Sequence, residues 1–258
     1  MSRSGVITLT TDFGAADPYA GMMKGVILSI FPAARIVDLS HEIPAHDPAA
    51  AAWVLLDSVP FFPPGTVHLA VVDPGVGSKR RPLALRNGDR FFVGPDNGIF
   101  SAFLPADETV ELNRPQFFLP KISACFHGRD LFAPVAARLA AGSALADFGS
   151  PLADPVRLRL PQPVSDGDTL RGEVIRVDRF GNLITNIPER LLPPSPFAAR
   201  IGGTDVPGLF PCYAAIPAGT CAALLGSSGR LEIARPQGSA AAALAAAAGA
   251  TVAILKRI

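Results

Sequence analysis

Apolar and polar positions in the first half of the chain switch between a strand-like and a helix-like period. Residues 6–10 form an apolar, β-branched run of strand length, and 19–30 carry apolar residues at helical spacing. A short strand at 36–39, an Ala-rich helix at 48–59 and a β-branched strand at 66–72 follow. Residues 83–85 and 91–93 pair as a hairpin, 97–103 open a short helix, and 129–141 place Leu, Phe, Val and Ala on one helical face. This β-α alternation predicts an α/β fold: a sandwich-like N-terminal domain with a mostly parallel sheet and helices on both faces. In such sheets ligands sit beyond the carboxyl ends of the strands.

The pattern then changes. Residues 149–168 hold Pro151, Pro155, Pro161 and Pro163 and little periodicity, as a linker does. Short β-like runs at 170–177, 183–186, 199–201, 221–225 and 231–233 follow, separated by Gly, Pro and Asn. They predict a smaller C-terminal antiparallel β domain. The expected division is 1–160 and 161–258. Residues 239–255 are apolar but Ala-rich and broken by Gly249, too short to span a bilayer, and read as a buried helix followed by a final strand.

Composition narrows the function classes. The chain has 258 residues, 49% of them hydrophobic and 17% charged, which implies a filled core and apolar surface for a partner subunit. A net charge of +1 with no basic stripe argues against a nucleic-acid partner. Cys125, Cys212 and Cys221 are isolated and odd in number, so neither a disulfide framework nor a structural zinc site is expected. The residues before the first strand lack the h-region of a secretory leader, and the expected location is the cytoplasm.

Four polar loops follow or interrupt apolar strands. They are Thr10-Thr11-Asp12-Phe13-Gly14 with Asp17 just beyond, Asp73-Pro74-Gly75-Val76-Gly77 with Lys79-Arg80-Arg81, Gly94-Pro95-Asp96-Asn97-Gly98, and Phe126-His127-Gly128-Arg129-Asp130. Each Asp alone is as readily a turn or cap residue, and His127 alone a structural histidine. Four such loops at one sheet edge are harder to explain as turns. The Asp73 loop lacks Walker spacing and the dinucleotide glycine pattern. As an acidic loop it also fits a metal-dependent nucleoside hydrolase, although Arg80 and Arg81 would repel a divalent cation. In the second domain, Asp178-Arg179-Phe180-Gly181-Asn182 and the segment from Gly226 to Ala234 read as turns between strands.

Taken together and in order, TTDFG (10–14), DPYAGMMKG (17–25), VVDPGVGSKRR (71–81), GPDNG (94–98), FHGRD (126–130), DRFGNLITNI (178–187) and GSSGRLEIA (226–234) resemble the S-adenosylmethionine hydroxide adenosyltransferases. These are adenosine-forming S-adenosylmethionine hydrolases, related to the fluorinase and chlorinase. The resemblance spans nearly the whole chain. It implies a homotrimer with each active site between the first domain of one subunit and the second domain of the next. It also implies a water-handling triad that falls on Asp73, Arg80 and His127, with Arg80 preferred to its neighbour Arg81 by the family's spacing. The halogenases lack the Asp and the His and carry an added loop, so the hydrolytic branch is indicated. His46, where halogenases have an aromatic residue, and Arg230 depart from the pattern and leave details of the methionine pocket open.

On this resemblance S-adenosyl-L-methionine is the substrate and neither cofactor nor metal is needed. Asp12 would hold the ribose hydroxyls, with Phe13 beside it, and Asp17 the methionine ammonium. Asp178 and Asn182 would serve the amino-acid end or the adenine edge, and Phe180 and Tyr213 would stack on the base. Ser227 and Glu232 resemble family positions near the ligand. A halide-using relative and a non-catalytic protein that binds S-adenosylmethionine or adenosine are the competing readings.

Overall fold

The computed structural model describes residues 3–167, 169–194 and 197–256. The chain divides into two compact units, Met1–Leu160 and Pro161–Ile258.

The first unit is built on strands β1 (Val6–Thr11), β2 (Arg35–Ser40), β3 (Val67–Val71), β4 (Pro82–Asn87), β5 (Arg90–Pro95), β6 (Glu108–Leu112) and β7 (Gly149–Pro151), with helices α1 (Tyr19–Ile30), α2 (Pro48–Ser58) and α3 (Ala133–Ala141). The sheet order is β2-β1-β3-β5-β4-β6-β7. Side chains alternate across the central strands, as the pleat requires. Leu69, Val71, Phe91 and Val93 pack with Met23 and Ile27 of α1 and with Val135 and Leu139 of α3. Ala70, Val72, Leu85 and Phe92 pack with Ala51 and Leu55 of α2. Burial on both faces explains why these strands read as continuous apolar runs. Helix α2 starts at an Asp47 N-cap that accepts from the Ala50 amide, with Pro48 in the first turn. Helix α3 ends at Gly142, whose φ of 118° closes the last turn.

The expected mostly parallel sheet is a mixed one. Strands β2, β1, β3 and β5 run parallel. Beyond them β4, β6 and β7 are antiparallel. The regular α/β alternation breaks after β3: β4 and β5 form a hairpin across Gly88, whose φ is 59°, and β6 and β7 pair antiparallel although α3 lies between them in the chain. Two further differences involve short segments. Residues 97–103 contain only a 3₁₀ turn at Ser101–Phe103. The first part of the expected linker instead supplies β7, and beyond it the Val156 amide donates to Asp96.

The parallel half fixes where a ligand can sit. From β1 the chain crosses through α1 to β2, then returns past β1 through α2, on the opposite face, to β3. The order therefore reverses between β1 and β3, and the loops beyond these two strands part to leave a crevice. In the register Thr11 lies opposite Val71, so Asp12 and Asp73 emerge side by side at its mouth.

The second unit is an antiparallel sheet. It comprises β8 (Val164–Asp166), β9 (Thr169–Val177), β10 (Leu183–Pro188), β11 (Phe197–Ile201), β12 (Thr204–Gly208), β13 (Ala222–Leu225), β14 (Arg230–Ala234) and β15 (Thr251–Lys256). The order is β12-β11-β15-β9-β10-β14-β13, with β8 on β9. A bridge between Phe210 and Leu224 draws the two ends of the sheet together, so it nearly closes around Val174, Leu183, Phe197, Leu231 and Val252. The helix expected early in 239–255 is one turn, α4 (Ala240–Ala243), in which only Ala240 is buried. Ala245 and Gly249 take positive φ, which ends the helix and swings the chain back into β15.

Candidate active site

After β3 two successive turns fold the chain back on itself. The Val76 amide donates to the Asp73 carbonyl and the Ser78 amide to that of Gly75. The Ser78 hydroxyl then accepts from the Arg80 amide at 3.2 Å. These turns lay Arg80 across Asp73: its Nε donates to both carboxylate oxygens at 2.9 and 3.0 Å, and Nη2 also donates to Oδ2. The side chains are only 10% and 5% exposed, so this is a desolvated, forked ion pair rather than a surface one. The Arg80 guanidinium also lies 5.1 Å from the centre of the Phe132 ring.

His127 reaches the same place from a different element. It precedes a π-helical turn at Gly128–Phe132 that continues into α3. A Cβ on Gly128 would stand 3.2 Å from Met23 Sδ and 3.5 Å from Val71, so glycine lets this turn lie close against α1 and β3. Gly77, at φ 76°, plays the matching part in the Asp73 loop, where a Cβ would fall 2.4 Å from the Ala124 carbonyl. The loops so joined bring Arg80 Nη2 within 3.1 Å of His127 Nδ1. A guanidinium can only donate, so Nδ1 accepts and the neutral ring carries its proton on Nε2. Burial, and then the Arg80 charge, hold the His127 pKa below the ordinary imidazole value, with Asp73 and Asp130 opposing.

Arg81, the alternative arginine, is committed elsewhere. Its Nε donates to Asp96 at 2.8 Å and its Nη1 to Asp154 at 2.7 Å, while Asp96 also accepts from the Val156 amide. The adjacent arginines thus serve different carboxylates, and Asp96 ties the 150–158 segment to the sheet.

Asp73 and His127 line a cavity of about 530 Å³ beyond β1 and β3, together with Asp12, Phe13, Val71 and Phe126. That volume suits a nucleoside-sized ligand. Phe13, Tyr19 and Phe126 form an aromatic wall, with ring centres 5.4–5.9 Å apart in edge-to-face contacts. Asp12 accepts from the His46 amide at 2.9 Å; His46 has a φ of 65°, which turns that N–H onto the carboxylate. The other Asp12 oxygen keeps its acceptor capacity. Thr11, beneath Asp12, contacts His41 Nδ1 at 2.8 Å. Asp17 is exposed and does not line this cavity.

The remaining candidates lie in the second unit. Asp178 Oδ1 accepts from the Phe180 and Asn182 amides at 2.9 Å each, and Oδ2 from Asn182 Nδ2 at 3.0 Å. Phe180 is thereby held 75% exposed on a rigid turn. The Tyr213 hydroxyl donates to buried Glu232 at 2.6 Å. Burial raises the pKa of Glu232, and nearby Asp178 acts in the same direction. Ser227 is exposed in the β13–β14 turn. Among the described residues no three His, Cys, Asp or Glu side chains gather as a metal-ligand set.

Several cavity residues were not singled out from the sequence. Tyr19, Ser123, Cys125 and Arg129 line it, and Asp130 lies buried behind it. Arg129 and Asp130 stand in the FHGRD segment, so the signal is present, but directly after Gly128 the pair reads as the start of a helix.

A crevice at the strand-order reversal, holding a buried Asp-Arg pair, a neutral histidine and a free-facing carboxylate, defines an α/β enzyme of small polar substrates. Residues 7–149 match the SAM hydroxide adenosyltransferase N-terminal domain and residues 172–253 the C-terminal domain. The chain belongs to the SAM hydroxide adenosyltransferase family. It is 43% identical to an (R)-S-adenosyl-L-methionine hydrolase of Salinispora arenicola over 78% of this chain and 79% of that protein. With the hydrolase of the same name from Thermus thermophilus the identity is 40% over 95% and 97% of the two chains. A fluorinase of an Actinoplanes species matches at 29% over 70% and 71%. The crystal structure of an uncharacterized conserved protein from Thermotoga maritima superposes with a TM-score of 0.93 at 34% identity, covering 97% of this chain and all of that one.

Proposed function

We propose that this enzyme hydrolyses S-adenosyl-L-methionine to adenosine and L-methionine by in-line attack of water at C5′. The observation that carries the reading is Asp73 and His127 in the wall of a nucleoside-sized cavity, joined to each other through Arg80. The substrate sulfonium departs as neutral methionine, so no acid is needed. Water must instead be held behind the C5′–S bond and relieved of a proton as it attacks. Free hydroxide is scarce, because bulk water has a pKa of about 15.7.

In our reading the water donates to Asp73 and accepts from Nε2–H of His127, which leaves one lone pair aimed at C5′. As the O–C5′ bond forms, the C5′–S pair returns to sulfur, and the water proton passes to the Asp73 carboxylate and on to solvent. Arg80 holds the carboxylate still, so that it stays aimed at the water as the proton leaves. Such orientation supplies on the order of 7–11 kcal/mol. Asp12 takes the ribose diol with its remaining acceptors, against the Phe13, Tyr19 and Phe126 wall.

The second-unit residues Asp178, Phe180, Asn182, Tyr213, Ser227 and Glu232, with Asp17, contribute to the adenine and amino-acid ends. The enzyme works without a cofactor, as a homotrimer in the cytoplasm; the unpaired cysteines suit that compartment. Higher identity to hydrolases than to fluorinase supports water over halide. Chromatography of a reaction with S-adenosyl-L-methionine and chloride tests this. Adenosine and methionine are expected, 5′-chloro-5′-deoxyadenosine would assign a halogenase, and unchanged substrate would leave a binding protein.

A further inference from the structure

Asp130 has no part in the scheme above, yet it is a fully buried carboxylate directly behind the cavity wall. Its Oδ2 accepts from the Ser123 amide at 2.8 Å, and its two oxygens accept from Arg129 Nε at 2.6 Å and Nη2 at 3.0 Å. Its own amide donates to the Phe126 carbonyl, and its carbonyl accepts from the Leu119 amide. One residue thus clasps the chain at 119, 123 and 126, the segment that ends in His127. Arg129 is fixed at the same time, its guanidinium 4.9 Å from the centre of the Phe126 ring.

We propose that Asp130 is a positioning residue for His127: its clasp sets the ring at the 3.1 Å contact with Arg80, and its charge offsets that of the arginine at the imidazole. The charged groups that act on His127 are Arg80, Asp73 and Asp130, the last of which is paired with Arg129. Without the Asp130 charge, Arg80 is opposed only by Asp73, which it already grips through three contacts.

This rests on the proposed hydrolysis for its kinetic arm, but not for its spectroscopic one. The chain has four histidines, so His127 is assigned in an imidazole NMR titration as the signal lost in His127→Gln. Asp130→Asn keeps an acceptor for the Ser123 amide and removes the charge. It is expected to move the His127 titration to lower pH and to lower kcat about tenfold or more with KM nearly unchanged. Asp130→Glu keeps the charge and lengthens the clasp, so it should lower kcat while leaving the titration near wild type. It also serves if the asparagine variant does not fold. A purely structural role would leave the His127 titration in place in both variants and reduce only thermal stability; that result overturns the proposal. If the wild type turns over no S-adenosyl-L-methionine, the hydrolase reading fails, while the titration still decides the role of Asp130.

Discussion

Asp73→Asn separates catalysis from binding at this site. The carboxamide keeps the shape of Asp73 but loses the charge that compensates Arg80, a side chain only 10% exposed. Removing one partner of a buried pair costs about 3–5 kcal/mol of stability. At roughly 2–4 °C per kcal/mol for a chain of this size, the melting temperature should fall by about 6–20 °C. Assays well below that transition then report on chemistry. Loss of the proton acceptor should cut kcat by about 10²–10⁴, which is about 3–5 kcal/mol at 1.36 kcal/mol per decade. Asp73 meets the nucleophile and not the nucleoside, so calorimetric affinity for adenosine should stay within about twofold. A folded variant that keeps kcat within about threefold of wild type would show that Asp73 neither holds the water nor takes its proton.

Other expectations follow from the same geometry. Asp12→Ala should weaken adenosine binding by about 2 kcal/mol, the scale of hydrogen bonds to a charged group, and unchanged affinity would place the ribose elsewhere. His127 is held below the usual imidazole range, so kcat should stay level as pH falls through 6.5 and drop only in more acid solution, when protonation of Nδ1 breaks the Arg80 contact. A drop already complete at pH 6.5 would contradict the neutral ring. Alkylation of Cys125, exposed in the cavity wall, should block adenosine binding, with Cys125→Ser resistant; equal inhibition of the variant would assign the effect to another thiol.

Stability should depend on pH through His68, which is buried between Phe62 and Phe92 with its pKa pushed down to about 3. The unfolded chain takes up that proton near pH 6.5 and the folded one does not, so stability falls as pH drops from 6.5 toward 3. The loss is about 2 kcal/mol by pH 5, at 1.36 kcal/mol per unit. His68→Phe should flatten that slope; an unchanged slope would place its source in another group.

Much of this arrangement is legible in the sequence, and the rest is hidden for identifiable reasons. The central strands and α1 announce themselves because two-sided burial demands unbroken apolar runs. The triad loops stand out because polar residues interrupt those runs. Strand β7 leaves no trace, since Gly149, Ser150 and Pro151 owe their conformation to β6 and not to their own pattern. The alanines after Ser239 favour a helix locally, and the return to β15 overrides them through Ala245 and Gly249. Arg80 and Arg81 cannot be told apart by composition. The turns through Gly75 and Ser78 decide which one faces Asp73. Asp130 is masked for the opposite reason: an acidic residue in the first turn of a helix is so ordinary that its grip on residues 119–126 is invisible until the loop is folded.

The origin of the nucleophile is the most direct test. Incubation with S-adenosyl-L-methionine in oxygen-18 water, followed by mass spectrometry, should give adenosine carrying one heavy oxygen at the 5′-hydroxyl and methionine carrying none. Adenosine without the label, or free adenine in its place, would contradict attack by a held water at C5′.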